Sequence, residues 1–149
     1  MKITERLRGV TRLFLDTAPL IYFVEKNPSF LNIVRPVFNR IDAGDLTAVT
    51  SVVTLAECLI YPYRSGQMDV VKAFTDLIVS GPNTVFIPLD QGIAQQSAEL
   101  RARYNLALPD ALQIAAALST SCDAFLTNDI RLKRVTELDM IVLDEVESA

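Results

Sequence analysis

Short apolar runs alternate along the chain with longer stretches in which apolar residues recur every three or four positions. Short runs of this kind are typical of buried strands, and the wider spacing is typical of amphipathic helices. The pattern predicts strands at residues 12–15, 46–51, 85–87, 124–127 and 140–143. It predicts helices at residues 17–24, 30–41, 53–60, 68–78, 93–104 and 109–119, with a short helical turn at 130–134.

A helical pattern separates each predicted strand from the next. This alternation is typical of right-handed crossover connections, which place strands side by side in parallel and helices on both faces of the sheet. We therefore expect an α/β fold, a three-layer α/β/α sandwich with a central, mainly parallel sheet. No linker, repeat or low-complexity segment interrupts the pattern, and 149 residues fit one domain of ordinary size, residues 1–149.

The chain is unusually apolar for its length. Hydrophobic residues make up 50% of it and the mean hydropathy is +0.29, which suggests apolar surface reserved for a partner. We expect this apolar surface to form a homodimer interface, and the amphipathic helices at 30–41 and 68–78 are the candidate surfaces. No apolar run approaches the roughly 18 residues that a membrane span requires, so we expect no membrane association and a cytoplasmic location.

Histidine is absent from the sequence. Its absence removes the usual general base, the usual zinc ligand and every Ser-His or Cys-His mechanism. Cys58 and Cys122 lie inside apolar patterns, where a free thiol behaves as a small hydrophobe. Any catalysis must therefore use carboxylates. The net charge of -4 argues against broad attraction to nucleic acid but leaves a local contact open.

Four carboxylates stand where an apolar segment ends or a helix begins: Asp16, Glu57, Asp110 and Asp129. In an open parallel sheet the carboxyl ends of the strands meet at one edge, and ligands bind in the crevice where the strand order reverses. The four acids are therefore expected to converge. Clustered carboxylates repel one another unless cations lie between them, so the placement predicts a site for divalent metal ions.

Each acid also has an ordinary structural interpretation. Asp16 and Asp110 suit the first turn of a helix, and Asp129 suits a turn. Glu57 lies in an apolar helix, where it needs an arginine or a metal as a partner. The joint placement is what favours a site. Several arginines either line its rim or belong to solvated helix faces: Arg64, Arg101, Arg103, Arg131 and Arg134.

Four segments carry a resemblance to a known family. They are residues 13–17 (LFLDT), 54–57 (TLAE), 108–117 (LPDALQIAAA) and 126–129 (LTND). In order, spacing and chain length they resemble the four acidic motifs of the PIN-domain nucleases, and in particular the VapC-type toxins of toxin-antitoxin pairs. The third segment is the most specific. The resemblance runs from about Arg12 to the last predicted strand.

The resemblance implies a three-layer α/β/α fold and an endoribonuclease that depends on magnesium or manganese. It also implies a homodimer that a cognate antitoxin neutralises. Matched by position, Asp16, Glu57, Asp110 and Asp129 would bind the metal, and the hydroxyl of Thr127 would support the site. Asp129 would serve partly in the outer shell or at a second ion. Residues 1–11 form an N-terminal extension that family members often lack, and its role is open.

Other functions place different demands on the sequence. An aspartyl-phosphate phosphohydrolase of the haloacid-dehalogenase kind needs a second acid two residues after the first, where this chain has Ala18. A receiver-type phosphoacceptor needs an acidic pair near the first strand, and no such pair precedes Asp16. The serious alternative is a non-catalytic PIN-like interaction module whose acids are only structural. Intact carboxylates at all four positions favour the enzyme.

Overall fold

Five parallel strands form a single central sheet in the computed structural model, which describes residues 1–149. The strands are β1 (Arg12–Leu15), β2 (Thr47–Ser51), β3 (Thr84–Ile87), β4 (Ala124–Thr127) and β5 (Asp139–Val142). Their order across the sheet is β3-β2-β1-β4-β5. Every pair of neighbours is parallel, which confirms the predicted parallel sheet.

Helices cover both faces of the sheet. They are α1 (Ile3–Arg6), α2 (Thr17–Val24), α3 (Leu31–Ala43), α4 (Val52–Arg64), α5 (Met68–Ser80), α6 (Gln91–Tyr104) and α7 (Leu108–Ser119). Two 3-10 turns follow at Ile130–Arg134 and Leu143–Glu145. No helix is both long and apolar enough to span a bilayer.

Side chains of β1 and β4 divide between two hydrophobic cores. Leu13 and Leu126 belong to the core shared with α1 to α5, and Phe14 and Phe125 belong to the core shared with α6 and α7. The two phenylalanine rings stack with their centroids 5.1 Å apart. Because successive strand residues point to opposite faces, this alternation buries the sheet on both sides. The predicted three-layer α/β/α sandwich is confirmed.

The strand order reverses at β1. The chain moves from β1 to β2 and β3 on one side, then crosses to β4 and β5 on the other. A parallel sheet opens a crevice at such a reversal, beyond the carboxyl ends of the two strands that flank it. Asp16 follows β1, and Asn128 and Asp129 follow β4, so the fold brings the first and fourth acidic segments to this crevice.

The N-terminal extension is part of the hydrophobic core. Ile3 and Leu7 are fully buried among α3 and the strands. The Ile3 backbone N–H donates to the carbonyl of Glu147 at 2.9 Å, and Lys2 forms a parallel bridge with Glu147. The Arg6 guanidinium donates to both carboxylate oxygens of Asp139, at 2.8 and 2.6 Å. The extension therefore joins the two ends of the chain.

Two elements differ from the sequence expectation. Helix α1 was not predicted, because four residues are too few to show helical periodicity. Helix α4 continues past the predicted end at residue 60 and includes Pro62. Proline interrupts a helix by removing a donor and crowding the preceding turn. The helix continues for only two residues beyond this proline, so it ends close to where the sequence predicted.

Candidate active site

Asp16 is the most deeply placed acid of the crevice, with 8% of its surface exposed. It caps α2, and its Oδ1 accepts from the Thr17 backbone N–H at 2.8 Å and from Gln113 Nε2 at 3.2 Å. Its Oδ2 accepts from Thr127 Oγ1 at 2.7 Å. Burial raises the pKa of Asp16, and the hydrogen bonds from Thr127 and Thr17 oppose that rise by favouring the charged form.

Thr127 joins the first and fourth acidic segments. Its hydroxyl donates to Asp16 and accepts from the backbone N–H of Asp129 at 3.1 Å. The side chain is fully buried at the end of β4. The hydroxyl thus connects the carboxylate of Asp16 to the backbone of Asp129.

Glu57 lies in the second turn of α4 and is half-buried. Its Oε1 accepts from the Thr17 hydroxyl at 2.8 Å. Thr17 therefore bonds two acids, Glu57 through its side chain and Asp16 through its backbone. The sequence predicted an arginine or a metal as the partner of Glu57, whereas its contact in the structure is this hydroxyl.

Asp110 is the third residue of α7 and is also half-buried. Its pKa is raised to about 6, chiefly by burial and then by the negative charges of Asp16, Asp129 and Glu57 in that order, while Arg131 opposes the rise. The charges of the other three acids therefore act on Asp110.

Asp129 has a cation of its own. Arg131 Nε donates to Oδ1 at 3.0 Å and Arg131 Nη2 donates to Oδ2 at 2.8 Å. The hydrogen bond from Arg131 lowers the pKa of Asp129 and keeps it charged. Both oxygens of the fourth acid are thus engaged. This contact was not predicted, because the sequence offered Arg131 only as one of several rim candidates.

The five candidate arginines have different positions. Arg131 and Arg134 line a small cleft of about 50 Å³ together with Asp110 and Asp129. Arg101 donates to the carbonyl of Leu106, and Arg103 pairs with Glu137 at 2.9 Å. Arg64 is exposed at the end of α4. Two of the five therefore lie on the rim of the acidic site.

Gln113 is a site residue that the sequence reasoning missed. It is fully buried in α7 and bonds to Asp16, Ser51 and Thr54. A signal was present, because Gln113 is a lone amide in an apolar helix and a buried amide needs partners. The same argument was applied to Glu57 and not to Gln113.

The donor set suits a hard divalent cation, although the side chains are not gathered around a common point. No group of three or more acids or cysteines is close enough together to hold one metal ion. All the candidate ligands are oxygens, which magnesium and manganese prefer. The mutual repulsion that raises the pKa of Asp110 is the condition that a bound cation relieves.

An apolar groove of about 410 Å³ borders the acids on the side of Glu57. Its walls come from the start of α4 and the start of α7. The lining residues are Val52, Val53, Ala56, Glu57, Leu108, Pro109 and Leu112. Val52 and Leu108 are substantially exposed for apolar side chains, so the groove presents an apolar surface beside a charged one.

The sequence matches the PIN domain family model over residues 13–138. The chain belongs to the PIN domain family, as its four acidic segments predicted. No curated protein sequence matches it.

Solved structures of toxin-antitoxin proteins share the fold. VapBC2 from Rickettsia felis, bound to a promoter DNA fragment, gives a TM-score of 0.71 at 19% identity and covers 89% of this chain and 98% of that chain. DNA-bound VapBC from Salmonella typhimurium gives a TM-score of 0.65 at 19% identity and covers 89% of this chain and 98% of that chain. Mycobacterium tuberculosis VapC20, described as a sarcin-ricin loop cleaving toxin, gives a TM-score of 0.64 at 14% identity and covers 76% of this chain and 86% of that chain. The fold is therefore that of the VapC-type proteins.

Proposed function

We propose that this chain is a metal-dependent endoribonuclease and the toxin of a toxin-antitoxin pair. The observation that carries the proposal is that four carboxylates lie near the reversal of the strand order, where burial and the charges of the other three raise the pKa of Asp110. Membership of the PIN family and the fold shared with VapC20, a toxin that cleaves the sarcin-ricin loop, support it.

Asp16, Glu57 and Asp110 are the proposed main ligands of Mg²⁺ or Mn²⁺. Asp129 is assigned outer-shell duty or a second ion, and Thr127 supports Asp16 through its hydroxyl. When bound, the metal supplies Lewis-acid activation of water and of the phosphate. The chain's own groups hold the acids for this task, since Thr127 fixes Asp16 and Thr17 fixes Glu57.

The proposed substrate is the phosphodiester backbone of RNA in the cytoplasm. Arg131 and Arg134 place positive charge at the cleft beside Asp110. Guanidinium groups bind phosphate through N–H donors, and each of these arginines keeps N–H groups beyond those it gives to Asp129 or to backbone carbonyls. Because the net charge is -4, attraction to RNA is expected to be local to this rim.

An antitoxin and a second copy of the chain are the proposed protein partners. VapBC2 and the Salmonella VapBC are complexes of the toxin-antitoxin kind with this fold. The apolar groove beside Glu57 gives an apolar segment of an antitoxin a place to bind, and the acids next to it attract basic residues.

The first experiment is a pair of substitutions, Asp16→Asn and Asp110→Asn. Each should abolish Mn²⁺-dependent RNA cleavage because it removes a charged metal ligand, while the fold stays intact or gains stability from reduced repulsion. Asp45→Asn is the matched control, since Asp45 is exposed and precedes β2 at the opposite end of the sheet. Cleavage by both variants at the parent's rate with metal present contradicts the proposal.

A non-catalytic interaction module is the second candidate. The observation in its favour is that no three acids lie close enough to hold one ion. Titration of the protein with Mn²⁺ separates the two functions. Saturable binding that Asp16→Asn weakens supports the enzyme, and absence of binding supports the module.

A further inference from the structure

Gln113 links the elements that carry the three proposed metal ligands. It follows Asp110 by one turn of α7 and has no exposed surface. Its Nε2 donates to Asp16 Oδ1 at 3.2 Å. Its Oε1 accepts from Ser51 Oγ at 2.9 Å and from Thr54 Oγ1 at 2.7 Å. The Gln113 amide, which belongs to α7, thus contacts Asp16 at the end of β1 and Ser51 and Thr54 at the start of α4.

The two hydroxyls fix the orientation of the amide. Ser51 caps α4, and its Oγ already accepts from the Val53 backbone N–H at 3.1 Å. Thr54 Oγ1 accepts from the Ser51 backbone N–H at 3.4 Å in the reciprocal arrangement of a capping box. Gln113 Oε1 is the acceptor for the Ser51 hydroxyl and the nearer acceptor for the Thr54 hydroxyl, at 2.7 Å against 3.5 Å for the carbonyl of Leu15. Nε2 therefore faces Asp16.

Gln113 also decides which oxygen of Asp16 remains open. A carboxylate offers about four acceptor positions. Oδ1 has two donors, the Thr17 backbone N–H and Gln113 Nε2, and Oδ2 has only the Thr127 hydroxyl. The remaining position is on Oδ2. Without Gln113 the carboxylate loses the donor that makes its two oxygens unequal.

The same amide sets the relative positions of the helices. Glu57 lies one turn beyond Thr54 on α4, and Asp110 lies one turn before Gln113 on α7. The hydrogen bonds from Ser51 and Thr54 tie the start of α4 to α7, and the bond to Asp16 ties α7 to the end of β1. No buried polar side-chain atom lacks a partner, so the network is complete.

We propose that Gln113 is a positioning residue for the metal site, whose amide leaves the open acceptor position of Asp16 on Oδ2 and holds the helices that carry Glu57 and Asp110 in register with Asp16. The inference rests on the proposed function. Outer-shell partners of metal ligands commonly change metal affinity or activity by about 10–100-fold when they are replaced.

The test compares Gln113→Met with Thr50→Val by electron paramagnetic resonance titration of Mn²⁺ in the absence of RNA. Met has a similar length but no amide. Thr50 is a matched control on β2, because it is buried and its hydroxyl donates to the carbonyl of Ile78 at 2.8 Å, away from Asp16. Gln113→Met loses three buried hydrogen bonds and Thr50→Val loses one, so both variants should unfold at a lower temperature. Only Gln113→Met should weaken Mn²⁺ binding, by about 10–100-fold.

A second variant keeps the test informative if Gln113→Met does not fold. Gln113→Asn retains an amide that is one methylene too short to reach both sides of the network, and it should weaken Mn²⁺ binding to an intermediate degree. Cleavage by either variant should recover as Mn²⁺ is raised, because the loss is one of metal affinity.

The outcomes distinguish failure of the inference about Gln113 from failure of the proposed function. If the parent binds Mn²⁺ and Asp16→Asn weakens binding, while both Gln113 variants bind like Thr50→Val, Gln113 has only a structural role and the inference fails alone. If the parent does not bind Mn²⁺ at all, the proposed function fails and the inference fails with it.

Discussion

Asp110 is the residue whose charge is most directly tied to pH near neutrality, because its pKa is raised to about 6. We expect Mn²⁺-dependent cleavage to fall as the pH drops through about 6, since the protonated acid is a poor metal ligand. A pH profile of the cleavage rate measures this. Raising the Mn²⁺ concentration should move the midpoint to lower pH, because metal and protons compete. A midpoint pH that does not change with the Mn²⁺ concentration contradicts the proposed role of Asp110 as a metal ligand.

The same pKa predicts an opposite trend in the stability of the metal-free protein. The folded-state pKa of about 6 lies above the ordinary value of 3.8, so between these values the folded state binds the proton more tightly than the unfolded state. The free energy of unfolding should therefore fall as the pH rises from about 4 to about 6. Urea denaturation of the parent and of Asp110→Asn measures this. The variant should lose less stability over that window.

Single residues also show how far the sequence could go. Asp16, Asp110 and Asp129 could be named as candidates because each stands near a strand end or a helix start. Glu57 could be named because it is a lone acid in an apolar helix, and Thr127 because of the resemblance. For Gln113 the sequence shows only a lone amide in an apolar helix, which needs partners but does not identify them, and its partner Asp16 lies 97 positions away. Such a bond depends on how two helices and a strand pack, and periodicity reports only which side of each element is buried.

At the scale of elements, the N-terminal extension offers a clear test. Leu7→Ala should lower the free energy of unfolding by about 2–5 kcal/mol, because it leaves a cavity in a closely packed core. Leu7 is 1% exposed. Arg8→Ala is the matched control, since Arg8 is exposed and its replacement should change stability by less than about 0.5 kcal/mol. Equal stability of the two variants in urea would show that the extension does not contribute to the fold.

Strand and helix positions were largely predictable, and the exceptions have local causes. β4 was predicted at its observed bounds, because a short apolar run between turn residues leaves little choice of structure. α1 has only four residues, and its buried Ile3 and Leu7 make sense only once β5 and Glu147 lie beside them. Contacts with residues far away in the sequence do not affect the local pattern of apolar and polar positions, so that pattern does not predict them.

The sequence predicted that the amphipathic helices at 30–41 and 68–78 present apolar surface to a partner, and the structure places their apolar faces elsewhere. The apolar faces of α3 and α5, including Val37, Phe38 and Phe74, pack into the chain's own core. They are therefore not free for a partner. Exposed apolar side chains gather instead near the turn between α4 and α5: Ile60, Tyr61, Tyr63 and Met68.

We expect a dimer in solution that uses this α4–α5 corner, because large exposed apolar side chains favour burial against a partner. Ile60→Glu with Tyr63→Glu should shift the protein to a monomer in sedimentation experiments. Gln95→Glu, on the exposed surface of α6, adds the same kind of side chain elsewhere and should not. A parent protein that sediments as a monomer at micromolar concentration would rule out the dimer.

The inhibitor is expected to place a basic, partly apolar segment over the acids and the groove beside Glu57. Its binding should weaken as salt rises and should compete with Mn²⁺, because arginine and the metal seek the same carboxylates. The double variant Asp16→Asn with Asp110→Asn should reduce the affinity, and Asp45→Asn should not. Calorimetric titration that finds no effect of the double variant or of manganese would place the inhibitor elsewhere.

The strand order also has a consequence in time. The hydroxyl that holds Asp16 comes from Thr127, 111 positions later, and at about 5–20 residues per second roughly 6–22 s of synthesis separate them. A growing chain therefore exposes Asp16 and Glu57 before the strand that completes their crevice has been made. Nuclease activity should consequently appear only at the end of translation, after the start of α4, one wall of the apolar groove, has already emerged.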